Sequence, residues 1–182
     1  MTAIVGLVAG SRVLIGGDSA GVAGYSLTVR RDAKVFTNGP YLFGFTSSFR
    51  MGQLLRYAFD PPHPPAGADL EGFMATAWID ALRDALKVGG FARSDGGEER
   101  GGNFLVGVNG RLFEIEGDYQ VGEPVDGYAA CGCGAEVALG ALHATSRFEM
   151  AADDRAMTAL RAAERHSAGV RGPFTLLAIG DA

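Results

Sequence analysis

The chain is poor in cysteine, lysine and histidine, and each shortage excludes something. Two cysteines occur among 182 residues, Cys131 and Cys133, with only Gly132 between them. Neighbours this close make a poor disulfide, and no second Cys/His cluster completes a zinc site. They read as buried or site-adjacent thiols, and no metal or cofactor is expected. No apolar run approaches the roughly 18 residues needed to span a bilayer, and the first twenty residues lack a basic start followed by an apolar block. A cytoplasmic protein with no membrane partner is expected. The net charge of −5 gives no reason to expect nucleic acid as a partner. Of sixteen basic residues only Lys34 and Lys87 are lysines. A lysine at position 34 points to a need for an ammonium, whose pKa shifts on burial as a guanidinium's does not.

What is present suits one globular domain over residues 1–182, with 47% hydrophobic and 20% charged residues. Short β-rich runs cover Thr2–Val8, Arg12–Asp18, Ser26–Arg30, Lys34–Phe36 and Tyr41–Thr46, with Ala9-Gly10-Ser11 and Asn38-Gly39-Pro40 as turns. Ser47 or Ser48 can cap a helix to about Phe59, with Met51, Leu54, Leu55 and Ala58 inward. Asp60–Ala68 holds four of the seven prolines and His63, and reads as an exposed loop. Asp69–Lys87 predicts one amphipathic helix, with Phe73, Ala77, Ala81 and Leu82 on one face and Trp78 beside it. Gly89–Gly102, rich in Gly and charge, predicts a mobile segment. Asn109–Gly110 marks a hairpin between Asn103–Val108 and Leu112–Glu116. Helices over Gly134–Thr145 and Asp153–His166 and a strand over Pro173–Ile179 complete the order. Runs of strands alternating with helix pairs predict an α+β architecture.

One residue suggests chemistry. Thr2 stands directly behind Met1, where removal of the initiator exposes a hydroxyl and an α-amine on one residue. That amine has an unperturbed pKa of about 7.7–8.0, so a neutral fraction can act as base near pH 7. Thr with its own amine is an established nucleophile–base pair. The context adds Thr2-Ala3-Ile4-Val5-Gly6, then Val13-Leu14-Ile15-Gly16-Gly17-Asp18, then Asp32-Ala33-Lys34-Val35-Phe36.

That series resembles the N-terminal-nucleophile hydrolases of the proteasome β-subunit and HslV type. The resemblance extends to Leu42-Phe43-Gly44-Phe45-Thr46-Ser47-Ser48 and to Tyr128-Ala129-Ala130-Cys131-Gly132-Cys133-Gly134. It implies a four-layer αββα sandwich of two antiparallel sheets with helices outside. It also implies a threonine endopeptidase in which Thr2 attacks, Lys34 favours the alkoxide, Asp18 positions Lys34 and the Gly44 amide holds the oxyanion. Gly21, Asp32, Phe36, Leu42 and Thr46 are implied around the specificity pocket, which suits an apolar or, through Asp32, a basic side chain. Cys133 stands where the family has Ser; His166 and Gly169 stand where it has Asp and Ser, with Ser167 within one residue. Identical subunits forming a ring or stacked rings, and unfolded polypeptide as substrate, are the implied partners; an ATPase partner is left open. A catalytically inactive scaffold and a hydrolase of small amides are the alternatives.

Overall fold

The computed structural model describes residues 1–181. Its first hairpin joins β1 (Ile4–Ala9) to β2 (Arg12–Gly17) through a tight turn. Gly10 sits there at φ +65°, a left-handed conformation that costs glycine little. A short ribbon of β3 (Ala20–Ala23) and β4 (Ser26–Val29) follows, then the hairpin β5 (Val35–Asn38) and β6 (Tyr41–Phe45). Helix α1 (Phe49–Tyr57) begins at Ser48, whose side chain accepts the Arg50 N–H. A long helical stretch runs through α2 (Leu70–Phe73), a π-helical turn (Met74–Trp78) and α3 (Ile79–Val88). Strands β7 (Arg93–Asp95), β8 (Glu98–Arg100), β9 (Phe104–Val108), β10 (Arg111–Ile115), β11 (Val121–Gly122) and β12 (Tyr128–Cys131) come next. Helices α4 (Ala135–Thr145) and α5 (Ala152–His166) and strand β13 (Thr175–Ile179) end the order.

Two antiparallel sheets stack face to face, one in the order β12-β1-β2-β13, the other β11-β10-β9-β6-β5. Ile4, Val13, Ile15, Val35, Leu42, Leu105 and Leu112 fill the space between them. Helices α4 and α5 cover the first sheet, with Ala138, Leu142, Ala159, Leu160 and Ala163 against Val5, Leu7 and Leu14. Helices α1 and α3 with the π turn cover the second, where Trp78 and Met74 meet Phe36, Phe43, Phe104 and Phe113. The architecture is therefore α+β, a four-layer αββα sandwich. Sheets buried on both faces explain strands such as β9, apolar at every position and without alternation.

Three local expectations need correction. The stretch 70–88 is not one regular helix. The π turn rotates the helix surface, so Met74, Trp78, Leu82 and Leu86 are buried while Ala77 is exposed. Residues 93–100 form a hairpin with Arg93 opposite Arg100, two strands that the Gly- and charge-rich composition does not predict. Ala58, expected inward, is exposed at the C-cap of α1.

Candidate active site

Hairpin register brings Thr2 and Asp18 together. Ile4 faces Gly17 across β1–β2, and the next step outward sets Ala3 against Asp18. The Asp18 carboxylate accepts four hydrogen bonds. One oxygen takes the Ala3 N–H at 3.1 Å and Lys34 Nζ at 2.7 Å; the other takes the Ala20 N–H at 2.9 Å and the Arg171 N–H at 3.2 Å. Four donors make this a site for a fixed carboxylate.

Lys34 immediately precedes β5, in the opposite sheet. The Phe45 N–H donates to its carbonyl at 3.0 Å, and its side chain runs inward to Thr2. Nζ donates to Thr2 Oγ1 at 2.7 Å as well as to Asp18. The Lys34 and Asp18 side chains are 1% and 0% exposed, and Thr2 is 4% exposed. Burial pushes the Lys34 ammonium below its usual 10.5, while the adjacent Asp18 charge opposes the shift.

The turn after β12 holds the other side of Thr2. The Gly134 N–H donates to the Thr2 carbonyl at 3.1 Å. Gly132 lies at φ +99°, and a Cβ there would come within 2.3 Å of that carbonyl, so only glycine fits. The Thr2 N–H donates to Cys133 Sγ at 3.3 Å. Cys131 is buried between the sheets, its thiol pushed well up by desolvation. The Met1 carbonyl accepts from Thr2 Oγ1 at 2.5 Å, and the Met1 side chain lies against Gly169.

Beside Thr2 opens a cleft of about 280 Å³. Gly21 and Thr46 line it, with Arg30, Lys34, Ser47 and Phe49. Phe36 and Leu42 do not. Phe36 stacks on Phe43 at 5.3 Å on the helix side of the second sheet, and Leu42 faces the first sheet. Asp32 borders a neighbouring cavity with Phe45, Phe49 and Arg56. Gly44 lies inside β6 between Val35 and Leu105, where a Cβ would meet Ile15 and Ile4 at 2.5 and 2.6 Å. It is a close-approach position between sheets and presents no amide to the cleft. Ser47 does sit on the cleft, at φ +63°. Its N–H makes no hydrogen bond among the described residues, whereas its Oγ accepts the Asn103 N–H at 3.0 Å.

His166, at the exposed end of α5, makes no hydrogen bond to Thr2, Asp18, Lys34 or Cys133 among the described residues. The loop after α5 contributes instead through the Arg171 amide on Asp18 and the Gly172 N–H on Glu164 at 2.9 Å. Backbone contacts of this kind leave no mark in sequence. No group of three or more Asp, Glu, His or Cys residues able to hold a metal exists among the described residues.

At the level of sequence, no family model matches the chain and no curated protein does. Solved structures do match. BPH from Thiobacillus denitrificans, in complex with epoxomicin, superposes with a TM-score of 0.81 at 20% identity, covering 98% of both chains. HslV from Trypanosoma brucei gives 0.69 at 20% identity over 99% of this chain and 100% of that one. Anbu, an ancestral β-subunit from Yersinia bercovieri, gives 0.67 at 16% identity over 97% of this chain and 81% of that one. The chain thus has the N-terminal-nucleophile fold of the proteasome β-subunit type, as its N-terminal residues suggested. No helix among the described residues is long and apolar enough to cross a membrane.

Proposed function

We propose that this protein is a threonine peptidase of proteasome-like type, one domain over its whole length, active once Met1 is removed. The observation that carries this reading is the buried chain from Asp18 through Lys34 Nζ to Thr2 Oγ1, at 2.7 Å for each contact. An ammonium at that distance stabilises the alkoxide that forms as Oγ1 attacks a peptide carbonyl. The freed Thr2 amine, beside Cys133 Sγ, takes the proton and returns it to the leaving nitrogen as the C–N bond breaks, and water then hydrolyses the acyl-enzyme ester and frees Oγ1. The Ser47 N–H replaces Gly44 as oxyanion donor; loss of one such donor typically costs about 2.7–4 kcal/mol. Cys133 receives the amine where the family has Ser.

Met1 decides the alternative. While it stays attached, the Thr2 nitrogen is an amide and accepts no proton, which favours an inactive scaffold. Assembly of identical subunits into a ring, cytoplasmic location and polypeptide substrates complete the proposal. The test combines intact mass with epoxomicin labelling, because epoxomicin is the ligand of the similarly folded BPH. Loss of Met1 together with an adduct on Thr2 is expected. Met1 fully retained in protein from its own cells, with no adduct, would replace the peptidase with the scaffold.

A further inference from the structure

Ser47 and Ser48 line both the Thr2 cleft and a second cavity of about 550 Å³, walled by Phe91, Arg93, Arg100 and Gly101. Among the described residues neither cavity is lined by an Asp or a Glu. The charged groups facing them are Lys34, Arg30, Arg93 and Arg100, in a chain of net charge −5. Three of these cations have a carboxylate partner that lines neither cavity. Asp18 lies beneath Lys34, Glu98 binds Arg100 at 3.0 Å, and Asp32 takes Arg30 Nε and Nη2 at 2.8 and 2.6 Å.

Arg30 is held for this task. Its guanidinium carbon lies over the Phe49 ring, 3.8 Å from the centroid. Its aliphatic stem crosses Gly21, where a Cβ would come within 2.7 Å of Cδ, so the absence of a side chain at 21 lets Arg30 reach the cleft. With Asp32 on one edge of the fork, Nη1 makes no hydrogen bond among the described residues. A planar guanidinium held over a ring, with an edge left over, suits a carboxylate.

We infer that the cleft selects acidic peptide segments, with Arg30 pairing an Asp or Glu side chain next to the cleaved bond and Arg93 and Arg100 receiving acidic residues further along. This substrate class rests on the peptidase reading. It departs from the apolar or basic preference that Phe36, Leu42 and Asp32 suggested, because two of those residues face elsewhere and the third is paired.

The test uses protein beginning at Thr2 and peptidyl aminocoumarin amides carrying Glu, Gln or Lys in turn at each residue preceding the cleaved amide. Glu and Gln match in shape, so their ratio reports charge. At one position at least, Glu is expected to exceed Gln by about tenfold in kcat/KM, with Lys lowest. High salt should shrink that ratio. Arg30→Gln should bring it near unity, and Asp32→Asn, which frees the guanidinium, should increase it. Equal rates for Glu and Gln in the parent protein overturn the inference and leave the peptidase reading standing. An acidic preference that survives both Arg30→Gln and Arg93→Gln in folded protein also overturns it. Absence of turnover with every peptide sinks the peptidase reading alone, since the same peptides can be titrated by fluorescence anisotropy onto a Thr2→Ala protein. Tighter binding of Glu than Gln peptides there sustains the acidic selection; equal binding ends it.

Discussion

Two ion pairs are nested between residues 18 and 34 of the sequence and behave oppositely. Asp18–Lys34 is sealed, its side chains 0% and 1% exposed. Asp32–Arg30 is open, with 42% and 37% exposure. Both have N–O distances below 3 Å. Only the surroundings differ, and they assign different work. The sealed pair has given up water, so each charge depends on the other and on backbone donors. It can be positioned but not exchanged. The open pair keeps its solvent, contributes little to folding and leaves Arg30 Nη1 without a hydrogen bond among the described residues. Asp32 is held below the usual carboxylate range by its hydrogen bonds to Arg30.

Breaking the sealed pair should have the largest effect. Thr2→Ala should abolish hydrolysis, and Lys34→Ala should lower kcat/KM by about a thousandfold or more, with circular dichroism confirming a folded chain. Full turnover in folded Lys34→Ala would remove the mechanism. Asp18→Asn strands a buried ammonium and should cost about 3–5 kcal/mol in denaturant unfolding. It should also shift the alkaline limb of the pH–rate profile. Lys34 must stay protonated, and burial sets its pKa below 10.5, so activity falls with rising pH before 10.5. Removing the Asp18 charge, which raises that pKa, should move the limb to still lower pH.

A probe that leaves both pairs intact should be intermediate. Gly44→Ala drives a methyl group between the sheets and should cost about 1–3 kcal/mol. If Gly44 were instead the oxyanion donor, the damage would appear in kcat with stability unchanged. The smallest effect belongs to the open pair: Asp32→Asn should change stability by less than about 1 kcal/mol. A loss comparable to that of Asp18→Asn would erase the distinction.

What the sequence revealed follows the same division. The spacing of Thr2 and Asp18 is a hairpin register, a local matter set by a tight turn at Gly10. That Lys34 arrives from the other sheet follows from no local pattern, only from resemblance. The pocket was misread because β5 and β6 are buried on both faces. Val35 and Phe36 are both apolar, as are Leu42 and Phe43, so nothing in their chemistry marks which one faces the helices. Gly44 fell to the same ambiguity, since a glycine in a strand fits a catalytic turn or a close contact equally well. Ser47 was passed over as a cap candidate, and its φ of +63° is a conformation that serine seldom announces. The π turn was hidden because it shifts the apolar phase without altering composition.

The way Thr2 is mounted has one more consequence. Its carbonyl is gripped by the Gly134 N–H, the neighbouring Ala3 N–H is tied to Asp18, and its hydroxyl meets Lys34. Only the Thr2 N–H to Cys133 involves the nitrogen that carries Met1. Cutting away Met1 therefore keeps these contacts but breaks the Thr2 Oγ1 hydrogen bond to the Met1 carbonyl, which leaves the hydroxyl to Lys34 alone. The blade is fixed in its handle while the sheath is still on, and unsheathing turns one amide nitrogen into an amine and releases the hydroxyl beside it.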